Sequence, residues 1–352
     1  MDDRIKFGIA AAIVIAVIVT SLPAGLSIGL ANNNNNAAES HELRIGYFPN
    51  INHAQAVIGL GNGDFQKALG DVKVTTQVFN AGPSAITALF ANQIDVTYVG
   101  PNPAINGYVQ SNGDALRIIS GAASGGAVFV VRNDADINSP ADLGNKKFSS
   151  PQLGNTQDVA LRKYLLDNGY KTKENGGSVE IIPATNSDIF TLMVKKEIAG
   201  AWVPEPWGAK MVKEANSKIL VDERDRWPDG QFVTTHIIVR TDYLKNNPET
   251  IKKLLEANID ETNWINNNQD EAVKVFNTEL NKLTGKTIPE DELKAGFSRM
   301  NLTWDPVKTS LFQSADDAFR TGFFDTKPDL SRIYDLTLLN EVLAKKGLQE
   351  IQ

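Results

Sequence analysis

The sequence predicts an α/β protein of two lobes, each a mixed β-sheet flanked by helices, on three observations. From Leu43 onward, short β-rich runs alternate with helical patterns, the rhythm of βαβ units. The same order of runs then occurs a second time. Two long extended runs, one between the passes and one after them, lie where a chain would cross from one lobe to the other and back.

The first segment stands apart from this pattern. After Arg4 and Lys6 no charged residue occurs until Glu39, and residues 7–30 are long enough to span a bilayer, which takes about 20 apolar residues. The basic flank directs the N-terminus inward and the rest of the chain outward. Pro23, Gly25 and Gly29 weaken the end of the segment, and Ala31 or Ala37–Ala38 offer small residues for a cut, so a membrane anchor and a cleaved signal peptide both fit. Residues 1–31 are therefore assigned as anchor or signal, and 32–42 as an Asn-rich linker.

The first pass then reads "LRIGYF", a helix near His53–Leu60, "VKVTTQVF", a helix near Ser84–Asn92 and "VTYVG". The second reads "KKFSS", a helix near Thr156–Asn168, "VEIIP", a helix near Ser187–Lys196 and "GAWV". Pro49, Asn50, Ile51, Gln55 and Val57 have counterparts 102 residues later in Pro151, Gln152, Leu153, Gln157 and Val159. Ser84, Ile86, Leu89, Pro101 and Pro103 recur 103 residues later as Ser187, Ile189, Leu192, Pro204 and Pro206. A nearly constant offset across four elements points to two lobes of one plan.

The crossing runs are "GGAVFVVRND" (125–134) and "GQFVTTHIIVRTD" (230–242), which places lobe one at 43–129 and 237–352 and lobe two at 130–235. The tail from Tyr243 is helical: Asn247 can cap a helix with Pro248 at its first position, and "IKKLLEANIDETNWI" has 3.6-residue apolar spacing.

Composition narrows the function. The 352 residues are 42% hydrophobic and 22% charged, enough for two domains with full cores. A net charge of −7, without a Lys/Arg block, lacks the footprint of a nucleic-acid binder. With no cysteine, disulfides, thiolate metal sites, a cysteine nucleophile and lipid attachment through cysteine are all excluded. The three histidines, His41, His53 and His236, have no metal-ligand spacing, and neither a serine–histidine–acid set nor a phosphate loop stands out. No cofactor is expected.

In open α/β sheets ligands bind beyond the carboxyl ends of strands, against helix N-termini. Both lobes bring strand-to-helix turns and Pro-x-Pro exits, "GPNP" and "VPEPW", to such edges, and two edges facing across two crossing strands make a hinged clamp. In "PQLGNT", Gly154 permits close approach or positive φ and Asn155 and Thr156 can cap, while free N–H groups at the helix start favour an anion. The same turn read alone is only a helix cap. In "AWVPEPWGAK", Trp202 and Trp207 are either packing residues or an aromatic wall beside Glu205, which the prolines display at a strand end. Ser124 and Gly125, with Gly126, serve either ligand approach or a hinge. His53 near a helix start is either a capping or a functional side chain.

"YFPNINHAQAVIG", "ALFANQIDVTYVGPNPAI", "INSPADLGNKKFSSPQLGNTQDVALRKYL" and "GAWVPEPWGAKM" resemble the periplasmic-type substrate-binding proteins of ABC importers in the aliphatic sulfonate, taurine and nitrate family, over about residues 43–325. The resemblance implies a two-lobed periplasmic-binding-protein fold of the two-hinge type (type II). It also implies a monomer outside the cell, held at the membrane by the N-terminal segment or secreted after cleavage, which hands its ligand to a permease driven by a cytoplasmic ATPase. Asn50 and His53 would then belong to the lobe-one turn, Pro101 and Asn102 to its second exit, and Gln152 to Thr156 to the anion-facing turn. Trp202 and Glu205 would close the pocket from lobe two, with Glu205 on the ammonium group of taurine. Pyrimidine-precursor relatives share a "PN-x-NH" stretch, and their enzymatic branch carries a cysteine cluster that this chain lacks, so a binding protein and not an enzyme is expected. Nitrate, bicarbonate or pyrimidine-precursor binding, and a sensory ectodomain of the same fold, are the alternatives.

Overall fold

A computed structural model describes residues 41–352. The anchor or signal segment and nearly all of the Asn-rich linker lie outside the described residues. Among the described residues no helix is long and apolar enough to cross a membrane.

Among the described residues eleven strands form two sheets. Lobe one contributes β1 (Glu42–Tyr47), β2 (Lys73–Val78), β3 (Val96–Val99) and β4 (Leu116–Gly125). β5 (Ala127–Arg132), β6 (Lys147–Pro151), β7 (Glu180–Ala184), β8 (Gly200–Pro204) and β9 (Ser217–Asp222) make the second sheet, and β10 (Val233–Arg240) and β11 (Met300–Leu302) return to the first. The spatial orders are β2-β1-β3-β10-β4-β11 and β7-β6-β8-β5-β9. In each, three parallel strands are followed by antiparallel ones, so β1 corresponds to β6, β2 to β7, β3 to β8 and β10 to β5. This common order is the physical basis of the 102–103-residue echo.

Helices cover both faces of each sheet. They are α1 (Ala54–Gly61), α2 (Asp64–Leu69), α3 (Gly82–Phe90), α4 (Pro101–Gln110), α5 (Thr156–Asp167), α6 (Asn186–Val194), α7 (Trp207–Glu214), α8 (Thr241–Asn246), α9 (Pro248–Asn267), α10 (Gln269–Thr284), α11 (Glu290–Phe297), α12 (Lys308–Arg320) and α13 (Thr337–Lys345). Proline in the first turn of α3, α4 and α9 uses a position whose missing N–H costs no helical bond. Strands buried on both faces read as continuous apolar runs. In β5, Phe129 and Val131 face one core and Val128 and Val130 the other. In β10, Ile237 and Val239 pack with Leu43, Ile45, Leu339 and Leu343, while Ile238 joins Leu116 and Leu311 on the opposite face.

The crossings fall elsewhere than the sequence placed them. β4 leaves the first sheet at Gly125 and β5 enters the second at Ala127, so the lobes divide at Gly125–Gly126 rather than between Phe129 and Val130. Both glycines have positive φ, 80° and 77°, a conformation that turns the chain out of the first sheet after Gly125 pairs with Met300. Their N–H groups are held by Phe232 O (3.0 Å) and Arg299 O (2.9 Å). On the return, two short 3-10 turns follow β9, and β10 pairs with β4 from Val233 onward, so Val233–Thr235 belong to lobe one. The C-terminal helices pack mainly on lobe one, but α12 also touches α5 and α11 touches α7, bringing them against lobe two.

Candidate functional site

The carboxyl ends of all six parallel strands meet around one enclosed cavity between the sheets. Phe48, Asn80 and Gly100 follow β1, β2 and β3; Pro151 and Pro204 end β6 and β8, and Asn186 follows β7. His53, Ala81, Gly100 and Asn155 are the N-caps of α1, α3, α4 and α5, and Asn186 is the first residue of α6. None of these four caps uses its own side chain on the helix. Five helices thus begin at the cavity with their positive dipole ends, and the free amides there are those of only some of them: Ala54 N–H is held by Ile51 O, Asp188 N–H by the Thr185 hydroxyl, and Pro83, Pro101 and Pro103 have none.

The lining is polar yet uncharged. Asn50, Asn52, Asn80, Asn155, Gln157 and Asn186 supply amides, Thr156 and Thr234 hydroxyls, and His53 an imidazole; no Asp, Glu, Lys or Arg is among the lining residues. Burial pushes the His53 pKa down to about 3, so its ring is neutral at physiological pH. The ring lies 4.4 Å from that of Phe48. Four buried polar atoms of lining residues have no hydrogen-bond partner: Asn52 Oδ1, His53 Nδ1, Thr156 Oγ1 and Asn186 Oδ1. Buried polar atoms are nearly always paired, so four orphans around one cavity mark a place built for another molecule. The lobes are closed on it: its volume is about 20 Å³, near the space of one water molecule.

Several bonds bridge the closed lobes. Trp207 Nε1 donates to Asn50 Oδ1 (3.3 Å), Ile51 N–H to Glu205 O (3.3 Å), and Asn106 Nδ2 to Gly154 O (3.4 Å). Lys163 lies 3.8 Å from Asp317. Gly100 touches Thr156 Oγ1 so closely that a Cβ there would overlap it.

Of the residues singled out from sequence, Asn50, His53, Asn155 and Thr156 line the cavity, and the others do not. Pro101 begins α4 behind Gly100, and Asn102 turns away to donate to Ser314 O (3.2 Å). Ser124 and Gly125 serve the crossing: Ser124 Oγ accepts from Phe232 N–H (3.2 Å), and Gly125 packs on Arg299 O. Gln152 is exposed, with φ 45°. Gly154 is left-handed as expected, but its N–H is taken internally by Asp158 Oδ2 (2.9 Å), a carboxylate also held by Ser150 Oγ and Arg162 Nε. The next amide is also taken within the turn, Asn155 N–H by Gln152 O (3.2 Å).

Trp202 is core. It stacks on Phe129 (5.3 Å) and donates Nε1 to Glu223 Oε2 (2.6 Å), a carboxyl whose pKa burial raises to about 7. Glu205 is fully buried away from the lining: Oε1 accepts from Arg299 Nη1 (2.8 Å) and Oε2 from Ala209 N–H (2.9 Å). Burial raises its pKa, while the Ala209 N–H and Arg299 hold the charge. An acid already engaged by a guanidinium is not placed to receive an ammonium group.

Sequence reasoning missed Phe48, Asn52, Asn80, Ala81, Gly100, Pro151, Gln157, Asn186, Pro204 and Thr234. Asn52 lies inside the quoted "PNINH", and Gln157 is the repeat partner of Gln55, so both carried a signal. Thr234, on the strand that returns from lobe two, carried none.

A model described as the NMT1-like family matches residues 36–278. A Brucella abortus (strain 2308) chain described only as a binding protein is 25% identical over 275 residues, covering 72% of this chain and 82% of its own length. Among solved structures, the alkanesulfonate-binding protein of Xanthomonas axonopodis pv. citri, bound to MOPS, is similar with a TM-score of 0.71 at 14% identity, over 85% of this chain and 99% of its own. The periplasmic nitrate-binding protein of Synechocystis PCC 6803 is similar with a TM-score of 0.69 at 16% identity, over 87% and 89%. At these identities the likeness to solved structures is one of fold.

Proposed function

Because the chain belongs to the NMT1-like family and has the periplasmic-binding-protein fold, we propose that it is the solute-binding component of an ABC-type importer. It captures a small organic anion, an aliphatic sulfonate, between its lobes and delivers it to a permease driven by a cytoplasmic ATPase. It works outside the cytoplasm as a monomer, held by its N-terminal segment or released after cleavage, and carries out no chemical step. The observation that carries this reading is the convergence of four unpartnered buried polar atoms and five helix N-termini on one interlobe cavity. Dipole ends and amide donors favour a single negative charge without a formal counter-charge. The engagement of Glu205 by Arg299 counts against taurine relative to simple alkanesulfonates. A second reading, an anion of nitrate or bicarbonate size, is favoured by the small volume of the closed cavity.

The test is thermal unfolding of the protein with ethanesulfonate, taurine, nitrate, bicarbonate and an aminopyrimidine. A ligand at about 100 times its dissociation constant stabilises by roughly 2.7 kcal/mol, a clear shift. A shift with ethanesulfonate supports the reading. Stabilisation by the aminopyrimidine alone overturns the anion assignment, and no shift with any of the five overturns the ligand class altogether.

A further inference from the structure

Trp207 is the first residue of α7 in lobe two, yet its indole reaches across to lobe one and donates Nε1–H to Asn50 Oδ1 at 3.3 Å. Asn50 is almost fully buried and lines the interlobe cavity. A side-chain amide has one acceptor oxygen and one donor NH2, and it can turn to exchange them. The indole N–H can donate only to the oxygen, so it fixes which end of the Asn50 amide turns toward lobe two and leaves the NH2 as the end free of that contact. Lobe two has a matching arrangement: Asn155 Nδ2 donates to Gln157 Oε1 (3.1 Å), so Gln157 likewise presents its NH2. The difference is that the Gln157 amide is set within its own lobe, whereas the Asn50 amide is set from the opposite one.

We propose that Trp207 is a positioning residue for ligand recognition, which on lobe closure locks the Asn50 amide with its NH2 toward the cavity and so makes the closed cleft selective for hydrogen-bond acceptors. This rests on the proposed role of the cleft as the solute site. It gives the residue a part that its neighbour Trp202 does not have, since Trp202 is spent on the lobe-two core. In the open form the indole is withdrawn and Asn50 can turn either way. Selection for an acceptor-bearing solute is therefore made at closure, not at first encounter, and its kinetic mark lies in dissociation.

The experiment uses the full chain, with Trp207→Phe to keep the ring and remove the donor, Asn50→Ala, and the double variant. Ethanesulfonate, whose sulfonate oxygens only accept, is the probe. Trp207→Phe is expected to weaken it about tenfold through faster dissociation, the loss of one hydrogen bond to a charged solute's binding group, with no further loss when Asn50 is already Ala. An aminopyrimidine, which also carries donors, should lose less. Losses that multiply in the double variant, or an unchanged dissociation rate, overturn the proposal. Should ethanesulfonate fail to bind the unmodified chain, the reading of the cleft as a sulfonate site fails, and the positioning role is decided from the indole N–H resonance of Trp207 in the closed complex with whichever other solute stabilises the chain. A resonance that moves and exchanges faster in Asn50→Ala keeps the contact; one that is unchanged overturns it.

Discussion

Glu205 and Arg299 form an ion pair of 2.8 Å in which the carboxylate is fully buried and the guanidinium one-fifth exposed. Glu205 follows β8 in lobe two, and Arg299 precedes β11 at the edge of the lobe-one sheet. The pair therefore spans the lobes beside the Gly125–Gly126 crossing, where Glu205 N–H also donates to Gly126 O (2.9 Å). It belongs to the hinge and not to the cavity.

Arg299→Met leaves that carboxylate buried with only the Ala209 N–H, so a loss of about 3–5 kcal/mol is expected at pH 7, measured by urea unfolding. Glu205 has a raised pKa and can take up a proton as the pH falls, so the loss should shrink in acid. A change below about 1 kcal/mol at pH 7 would show that the pair is not a buried charge couple.

Gly100→Ala tests closure. The backbone at Gly100 has φ −69°, which any residue adopts, so the variant should fold with little change in Tm. Its methyl group would overlap Thr156 Oγ1 of the other lobe and hold the lobes apart. Binding of the solute that stabilises the parent should weaken at least about tenfold, and Thr156→Ala should restore much of it, as judged by isothermal titration. Equal affinity in Gly100→Ala and parent would sink the closed geometry.

Glu261 on α9 is buried, with one oxygen unpartnered, and its pKa is raised to about 7 by burial and by the nearby Asp64. A raised carboxyl pKa adds stability that is fully present below the unfolded value near 4.5 and is lost as pH rises through 7. Glu261→Gln stays neutral, so relative to the parent it should gain up to roughly 3 kcal/mol between pH 5 and pH 8 in urea unfolding. His53 and His236 act in the opposite sense: their pKa values are lowered by burial to about 3 and about 4, so the stability tied to their neutral forms is present above pH 6.5 and lost as pH falls through those values. A parent-to-variant difference that does not change between pH 5 and 8 would show Glu261 to be ionised throughout.

Trp202→Phe should lower stability by about 1–3 kcal/mol, because the buried Glu223 carboxyl loses its 2.6 Å donor. Solute affinity should stay within about twofold of the parent's, since Trp202 does not line the cavity. A drop in affinity larger than the drop in stability explains would return Trp202 to the site.

The fold was legible because period and order are written in runs of residues. "LRIGYF" and "KKFSS" lead into helices at the same offset, and the sheets that contain them share one strand order. The site was legible only in part. Asn50, His53, Asn155 and Thr156 sit at strand-to-helix turns, which a string of letters marks with Pro, Gly and Asn. Glu205 occupies an equivalent turn and Trp202 the strand before it, but their partners, Arg299 and Glu223, lie 94 and 21 residues away, and only tertiary contact shows that both side chains are already engaged. Gly154 misled for a more local reason. Its φ of 74° fits an anion loop, yet Asp158 one turn on supplies the anion from within the chain.

The discontinuous build of lobe one dictates an order of birth. A chain made from its N-terminus has all of β5–β9 in hand once residue 222 has emerged, so lobe two can complete its sheet while lobe one still lacks β10, β11 and the helices that bring Leu339 and Leu343 to its core. Until residue 240 follows, β3 and β4 stand as two open edges with an empty slot between them, each a template for pairing with another chain. A product cut short before β10 is thus half finished in a particular way, with one lobe whose sheet has all its strands beside one whose sheet has a gap. It is the kind of fragment that chaperones and proteases of the compartment must meet first.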